Sequence, residues 1–219
     1  MQPGFWEFSR DLIPHLARGA VVTVELTFGS FAIGLVLGLI AALCRIARSL
    51  PLRAAANLYV TVIRGTPALV QIMALWGALP EFGITLPEFT VGVLALGINS
   101  GAYIAEIIRA AIQSIDRGQM EAARSLGMSY AQAMRRIILP QTYRRTLPPL
   151  VNELVALTKD TSLVGAVALH ELFRNGREVY ARTFRAAETW LWVSVFYLAM
   201  TVVLSAIAAR LERSLEVKE

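Results

Sequence analysis

The chain has 219 residues, 56% of them hydrophobic and 17% charged, with a net charge of +5. A mean hydropathy of +0.55 is too apolar for an ordinary soluble domain of this size. The arginines cluster between apolar runs, the pattern that membrane topology produces, and this argues against a nucleic acid partner.

Residues 1–18 carry Phe5, Phe8 or Ser9, Leu12 and Leu16 close to helical spacing, widened by Trp6 and Ile13. This predicts a short helix lying in the interface ahead of the first span. A cleaved signal peptide is the competing assignment, weakened by Glu7, Asp11 and Pro14. The first span is expected at about 20–44, with Gly34 and Gly38 in a GxxxG spacing that permits close helix contact. Arg45, Arg48 and Arg53 follow it, and Pro51 ends the helical pattern.

The second span is expected at about 54–79. Its middle holds RGTP at Arg64–Pro67, which predicts a kinked or broken helix, because Pro67 lacks a backbone donor and clashes with the preceding turn. The third span, about 89–108, places Asn99, Tyr103 and Glu106 on one face. Glu106 has Arg109 three residues on, a natural pair at the end of that span. The fourth span, about 147–169, is the least apolar and contains Asn152, Glu153, Lys159 and Asp160. The fifth, about 189–209, is flanked by Trp190, Trp192 and Arg210 as interface anchors. The fold class is therefore an all-α polytopic membrane protein of one domain, with five spans.

Arginine and lysine placement sets the orientation. With the N-terminus outside, the inner side holds Arg45, Arg48, Arg53, the seven arginines from Arg109 to Arg145, and Arg210, Arg213 and Lys218. The outer side holds Arg10, Arg18, Arg174, Arg177, Arg182 and Arg185, so the 170–188 loop is an exception to the trend. The 109–146 loop and the C-terminal tail are both basic. An even number of crossings must separate them, which supports the fourth span.

Between spans three and four lies a polar insert, about 110–146. Asp116 can cap a helix, with Gln119 three residues later. Gly127 suits the left-handed position after that helix, and Ser129 can cap a second helix that ends near Pro140. Ala122, Ala123 and Leu126 then form a small apolar face. An amphipathic loop that only connects two spans is the plain alternative.

Ionisable residues within spans mark function or structural pairing. Glu153, Lys159, Asp160 and Arg64 have no opposite charge at helical spacing. Arg64 with Lys159, and Glu153 with Asp160, would offer a zwitterionic amino acid two charges of each sign, with Asn99 nearby. Inter-helix salt bridges are the competing account. Cys44 is alone, and His15 and His170 show no metal-site spacing.

Glu121, Ala122, Ala123, Gly127, Ile137, Leu139 and Pro140 reproduce the EAA motif of permease subunits of ABC-type importers. The resemblance extends to RGTPALVQ at 64–71, to AYIAEIIRAAIQSIDRGQ at 102–119 and to KDTSLVGAV at 159–167. ARTFRAAETW at 181–190 also fits, with Ala186–Ala187 where the family has Pro-Phe. The whole, about 200 of the 219 residues, resembles the polar amino acid branch (histidine, glutamine and glutamate-type permeases).

The resemblance implies a type I importer permease fold in a bacterial inner membrane and a permease that is not itself an enzyme. It implies a separate ABC ATPase subunit, a periplasmic or lipid-anchored amino acid binding protein, and a second permease chain, identical or related. Glu121, Ala122, Ala123, Leu126 and Gly127 would contact the ATPase. The chain has no GxxxxGK[ST] motif, so ATP and Mg would be bound by that partner and no cofactor by this chain. A transporter or channel working alone, and a scaffold without transport, are the other classes. Neither accounts for the seven-residue motif.

Overall fold

The computed structural model describes residues 4–215, and every regular element among them is helical. Residues 1–3 and 216–219, Lys218 among them, lie outside the described residues.

Helix α1 runs unbroken from Phe5 to Ile46. This corrects the expectation of a separate interfacial helix over 1–18. Pro14 removes a donor inside the helix, yet contacts on both sides of it hold the axis. Phe8, Leu12 and Leu16 pack with Leu172 and Val193. Trp192 Nε1 donates to Ser9 Oγ at 2.9 Å, and Asn175 Nδ2 donates to the His15 carbonyl at 3.1 Å. The Phe8, Leu12 and Leu16 part of the stripe expected to meet lipid headgroups instead meets the chain's own C-terminal helices, while Phe5 and Trp6 stay exposed.

The second expected span is two helices, α2 (Leu50–Arg64) and α3 (Ala68–Ala78), bent by 101° where RGTP predicted a break. Helix α4 (Glu88–Gln113) packs along α1 as the most extensive helix pair. The GxxxG pair explains the approach. A Cβ on Gly38 would lie 2.6 Å from Ile104 Cγ2 and 3.0 Å from the Gly101 carbonyl. Only glycine lets the two helices come this close.

Helix α5 (Arg117–Ser125) and a short helix α6 (Tyr130–Ala133) form the insert. A π-helical turn over Met134–Ile138 then leads directly into α7 (Leu139–Asp160). The second helix of the insert therefore does not end near Pro140, and no boundary lies at 146. The wide turn resolves the conflict with proline. Leu139 N–H reaches back five residues to the Met134 carbonyl, and Pro140 falls in the first turn of α7, where its missing donor costs nothing. Pro148 and Pro149 also sit inside α7. The carbonyls they deprive belong to Arg144 and Arg145, both at exposed positions that water can reach.

After α7 come a 3-10 segment (Thr161–Val167), then α8 (Leu172–Thr183) and α9 (Ala186–Leu215). Among the described residues, α1, α4 and the Ala186–Arg210 part of α9 are long and apolar enough to cross a membrane. The bent pair α2–α3 makes a fourth if counted as one span. Helix α7 does not reach that apolarity; Glu153 and Asp160 on it line a cavity.

Leu26, Ile72, Ala95, Leu96, Leu157, Val164 and Val167 form the central core. It joins α1, α3, α4, α7 and the 3-10 segment behind that cavity. Helix α8 is held by buried polar contacts. The fully buried Glu171 accepts from Phe173 N at 2.8 Å, from Arg174 N at 2.7 Å and from Tyr197 OH at 3.1 Å. Leu172 N donates to Thr23 Oγ1 of α1 at 3.2 Å. Burial pushes the Glu171 carboxyl up to about 7, against the opposing pull of its donors.

Candidate functional site

The break between α2 and α3 is stabilised from within. Gly65 N–H bonds the Thr61 carbonyl at 2.9 Å, and Thr66 Oγ1 donates to the Val62 carbonyl at 2.9 Å. Gln71 Nε2 reaches back to the Ile63 carbonyl at 2.8 Å and the Thr66 carbonyl at 3.1 Å. These bonds serve carbonyls that a broken helix leaves without partners. Gln71 Oε1 in turn accepts from Asn99 Nδ2 at 3.0 Å, so the break is strutted against α4.

Beside the break opens a cavity of about 490 Å³, lined by Arg64, Gly65, Thr66, Pro67, Ala68, Asn99, Tyr103, Glu153, Ala156 and Asp160. Four of the five residues expected in a substrate pathway, Arg64, Asn99, Glu153 and Asp160, thus share one wall system. Lys159 does not line it and is exposed, which corrects the expected set of two charges of each sign. One helical step of about 100° separates Lys159 from Asp160, so only the Glu153–Asp160 stripe faces the cavity. The cavity holds one guanidinium and two carboxyl groups.

The Arg64 guanidinium lies 5.2 Å from the centre of the Tyr103 ring and 3.9 Å from Glu106 Oε2. Glu106 pairs with Arg109, as the spacing predicts, and also with Arg45 of α1. Arg45 Nε donates to Asn57 Oδ1 at 2.7 Å. One carboxylate therefore gathers α1, α2 and α4. Neither Arg45 nor Gln71 carries a sequence signal for these roles, because each partner lies across a helix boundary. Tyr103 shares the face of Asn99 and Glu106, and that spacing is the signal for it.

At the insert, Asp116 caps α5 through Gly118 N at 2.6 Å rather than through Gln119. Ser129 caps α6 as expected, in a reciprocal pair with Gln132 at 3.2 and 2.8 Å. Gly127 has φ of +82°. Its N–H bonds the Arg124 carbonyl at 3.0 Å, and Met128 N–H bonds the Ala123 carbonyl at 3.1 Å. These two bonds make a Schellman motif, with Gly127 at the left-handed position. Leu126 stands 81% exposed at the corner, and Glu121 and Ala122 are exposed beside it. Ala123 is 4% exposed and packs inward, so it cannot form part of an outer contact face, contrary to expectation.

Residues 34–217 match the family described as binding-protein-dependent transport system inner membrane component. The chain belongs to this permease family.

The permease is 43% identical to the glutamine transport system permease protein GlnP of Escherichia coli K12, over 97% of this chain and 98% of that one. It is 39% identical to the L-cystine transport system permease protein TcyB of Bacillus subtilis, over 99% and 90%. A crystal structure of an amino acid ABC transporter with histidines superposes with a TM-score of 0.92 at 40% identity, covering 98% of the permease and 100% of that chain. The inward-facing MetNI methionine ABC transporter, 21% identical, shares the fold with a TM-score of 0.78 over 94% and 99%.

Proposed function

We propose that this permease forms the pathway of an ATP-driven importer of polar amino acids in the bacterial inner membrane. The observation that carries the substrate assignment is the cavity at the α2–α3 break, where Arg64 stands with Glu153 and Asp160. A free amino acid presents a carboxylate and an ammonium together. Arg64 receives the carboxylate through a planar, two-donor face. Glu153 and Asp160 receive the ammonium, and Asn99 supplies an amide. Two carboxylates against one guanidinium favour substrates with neutral or cationic side chains over acidic ones. Glutamine and cystine, for which two of the relatives are named, are of that kind.

Five crossings fit this role: α1, the bent pair α2–α3, α4, α7 with its 3-10 extension, and α9. Helix α7 crosses despite its polarity because its charged stripe faces the cavity rather than lipid. The N-terminus is outside, and the insert and C-terminus are cytoplasmic. The corner formed by Glu121, Ala122, Leu126 and Gly127 seats in a separate ABC ATPase subunit, which binds ATP and Mg. A loaded binding protein docks outside, and a second permease chain completes the pathway. ATP-driven closure of the ATPase moves α5, and the insert passes this motion to α7 through the continuous 130–160 helix.

Proteoliposomes containing the permease, its ATPase and its binding protein test the assignment. Glu153→Gln and Asp160→Asn should each reduce ATP-dependent uptake at least about tenfold, as expected for loss of a charge-assisted contact. Unchanged uptake in both variants sinks the substrate contact. Uptake by the permease alone, without ATP, overturns the importer assignment in favour of a transporter working by itself.

A further inference from the structure

The insert carries a second concavity that the substrate pathway does not use. It measures about 360 Å³ and is lined by Gln119, Arg136, Ile137, Pro140, Gln141 and Arg144. Gln119 comes from α5, Arg136 from the π-helical turn, and Gln141 and Arg144 from the first turns of α7. No carboxylate lines it. The side chains of Arg136 and Arg144 make no hydrogen bond or ion pair among the described residues, whereas those of Arg45 and Arg109 both pair with Glu106. Gln141 Nε2 donates to the Ile137 carbonyl at 2.9 Å and approaches Gln119 Oε1 at 3.4 Å. The concavity therefore straddles the seam between α5 and α7.

Two unpaired guanidiniums in a concave site are a receptor for an oxyanion, because each presents parallel N–H donors that match phosphate oxygens. Arg144 precedes Leu147 by one helical turn, and the expected membrane-embedded part of α7 begins there. On the topology proposed above, this is headgroup level on the cytoplasmic side, where anionic lipid collects at basic pockets. We propose that this concavity binds the phosphate of an anionic phospholipid headgroup in the inner leaflet, and that the bound headgroup braces α5 against α7. Helix α5 ends at the corner that meets the ATPase, and α7 carries Glu153 and Asp160. Anionic lipid would thereby set how firmly the coupling helix drives the substrate cavity. The inference rests on the importer assignment and its orientation.

The complete transporter is reconstituted in phosphatidylcholine vesicles with increasing phosphatidylglycerol, and substrate-stimulated ATPase activity is measured. Wild type should rise with phosphatidylglycerol. An Arg136→Gln/Arg144→Gln variant should need about tenfold more of it, or fail to respond, while keeping its ATPase subunit. Arg53→Gln, which removes a basic residue elsewhere on that side, should respond as wild type. Inorganic phosphate added to pure phosphatidylcholine vesicles should not restore activity. If it does, a soluble anion rather than a headgroup is the ligand, and the lipid proposal is overturned. An identical lipid response in wild type and the double variant also overturns it. Loss of the ATPase subunit from the double variant assigns the arginines to that protein instead. Absence of ATP-driven uptake in wild type at every lipid composition is a failure of the importer assignment, distinct from all of these.

Discussion

Gly127 and Glu171 are single residues whose settings have measurable consequences. Gly127 has φ of +82° with nothing within 4 Å of an added Cβ, so substitution meets backbone strain and no clash. Gly127→Ala should cost about 1 kcal/mol, and Gly127→Asn less, read as a lower melting temperature of the purified permease. Glu171 gives a pH signature. Burial holds its carboxyl up at about 7 when folded, against 4.5 for the solvent-exposed group of the unfolded chain, so the folded chain holds that proton more tightly between these values. Its contribution to stability is full below about 4.5 and is lost as pH rises through about 7. Glu171→Gln should flatten this part of the melting temperature profile. The difference between wild type and Glu171→Gln isolates the carboxyl.

The α1–α4 pair depends on small residues at its closest approach. Gly38 meets Ile104 and the Gly101 carbonyl, and Gly101 itself leaves room for Tyr59 OH, which a Cβ would approach to 2.7 Å. Gly38→Val should force the helices apart and cost about 1–3 kcal/mol, seen as a lower thermal midpoint in detergent. The same displacement strains the contacts of Arg45 and Arg64 with Glu106, since these bind α1 and α2 to α4 at the same end. The π-helical turn is the other element-level device. It converts what proline would make a helix end into a continuous rod from Tyr130 to Asp160, joining the insert to the cavity wall.

In the transporter proposed above, two residues expected at the ATPase contact part company. Leu126 is 81% exposed and Ala123 only 4%. Leu126→Glu should leave the isolated permease as stable as wild type, yet abolish retention of the ATPase subunit on affinity purification. Ala123→Leu should do the reverse in its first effect, lowering stability by overpacking the insert. Equal ATPase retention by wild type and Leu126→Glu would remove Leu126 from the contact.

The sequence by itself determined the helical class, the break at RGTP, the glycine corner of the insert and the charged residues of the cavity. Each rests on local chemistry: apolar run length, missing proline donors, left-handed glycine, and charges without a neighbour at helical spacing. The tertiary structure decided what depends on distant partners. It merged residues 5–46 into one helix, because α8 and α9 cover the stripe that looked interfacial. It removed Lys159 from the cavity and Ala123 from the outer face, because helix rotation is set by packing and not by spacing alone. It also brought Arg45 and Gln71 to groups far along the chain, which no helical period records.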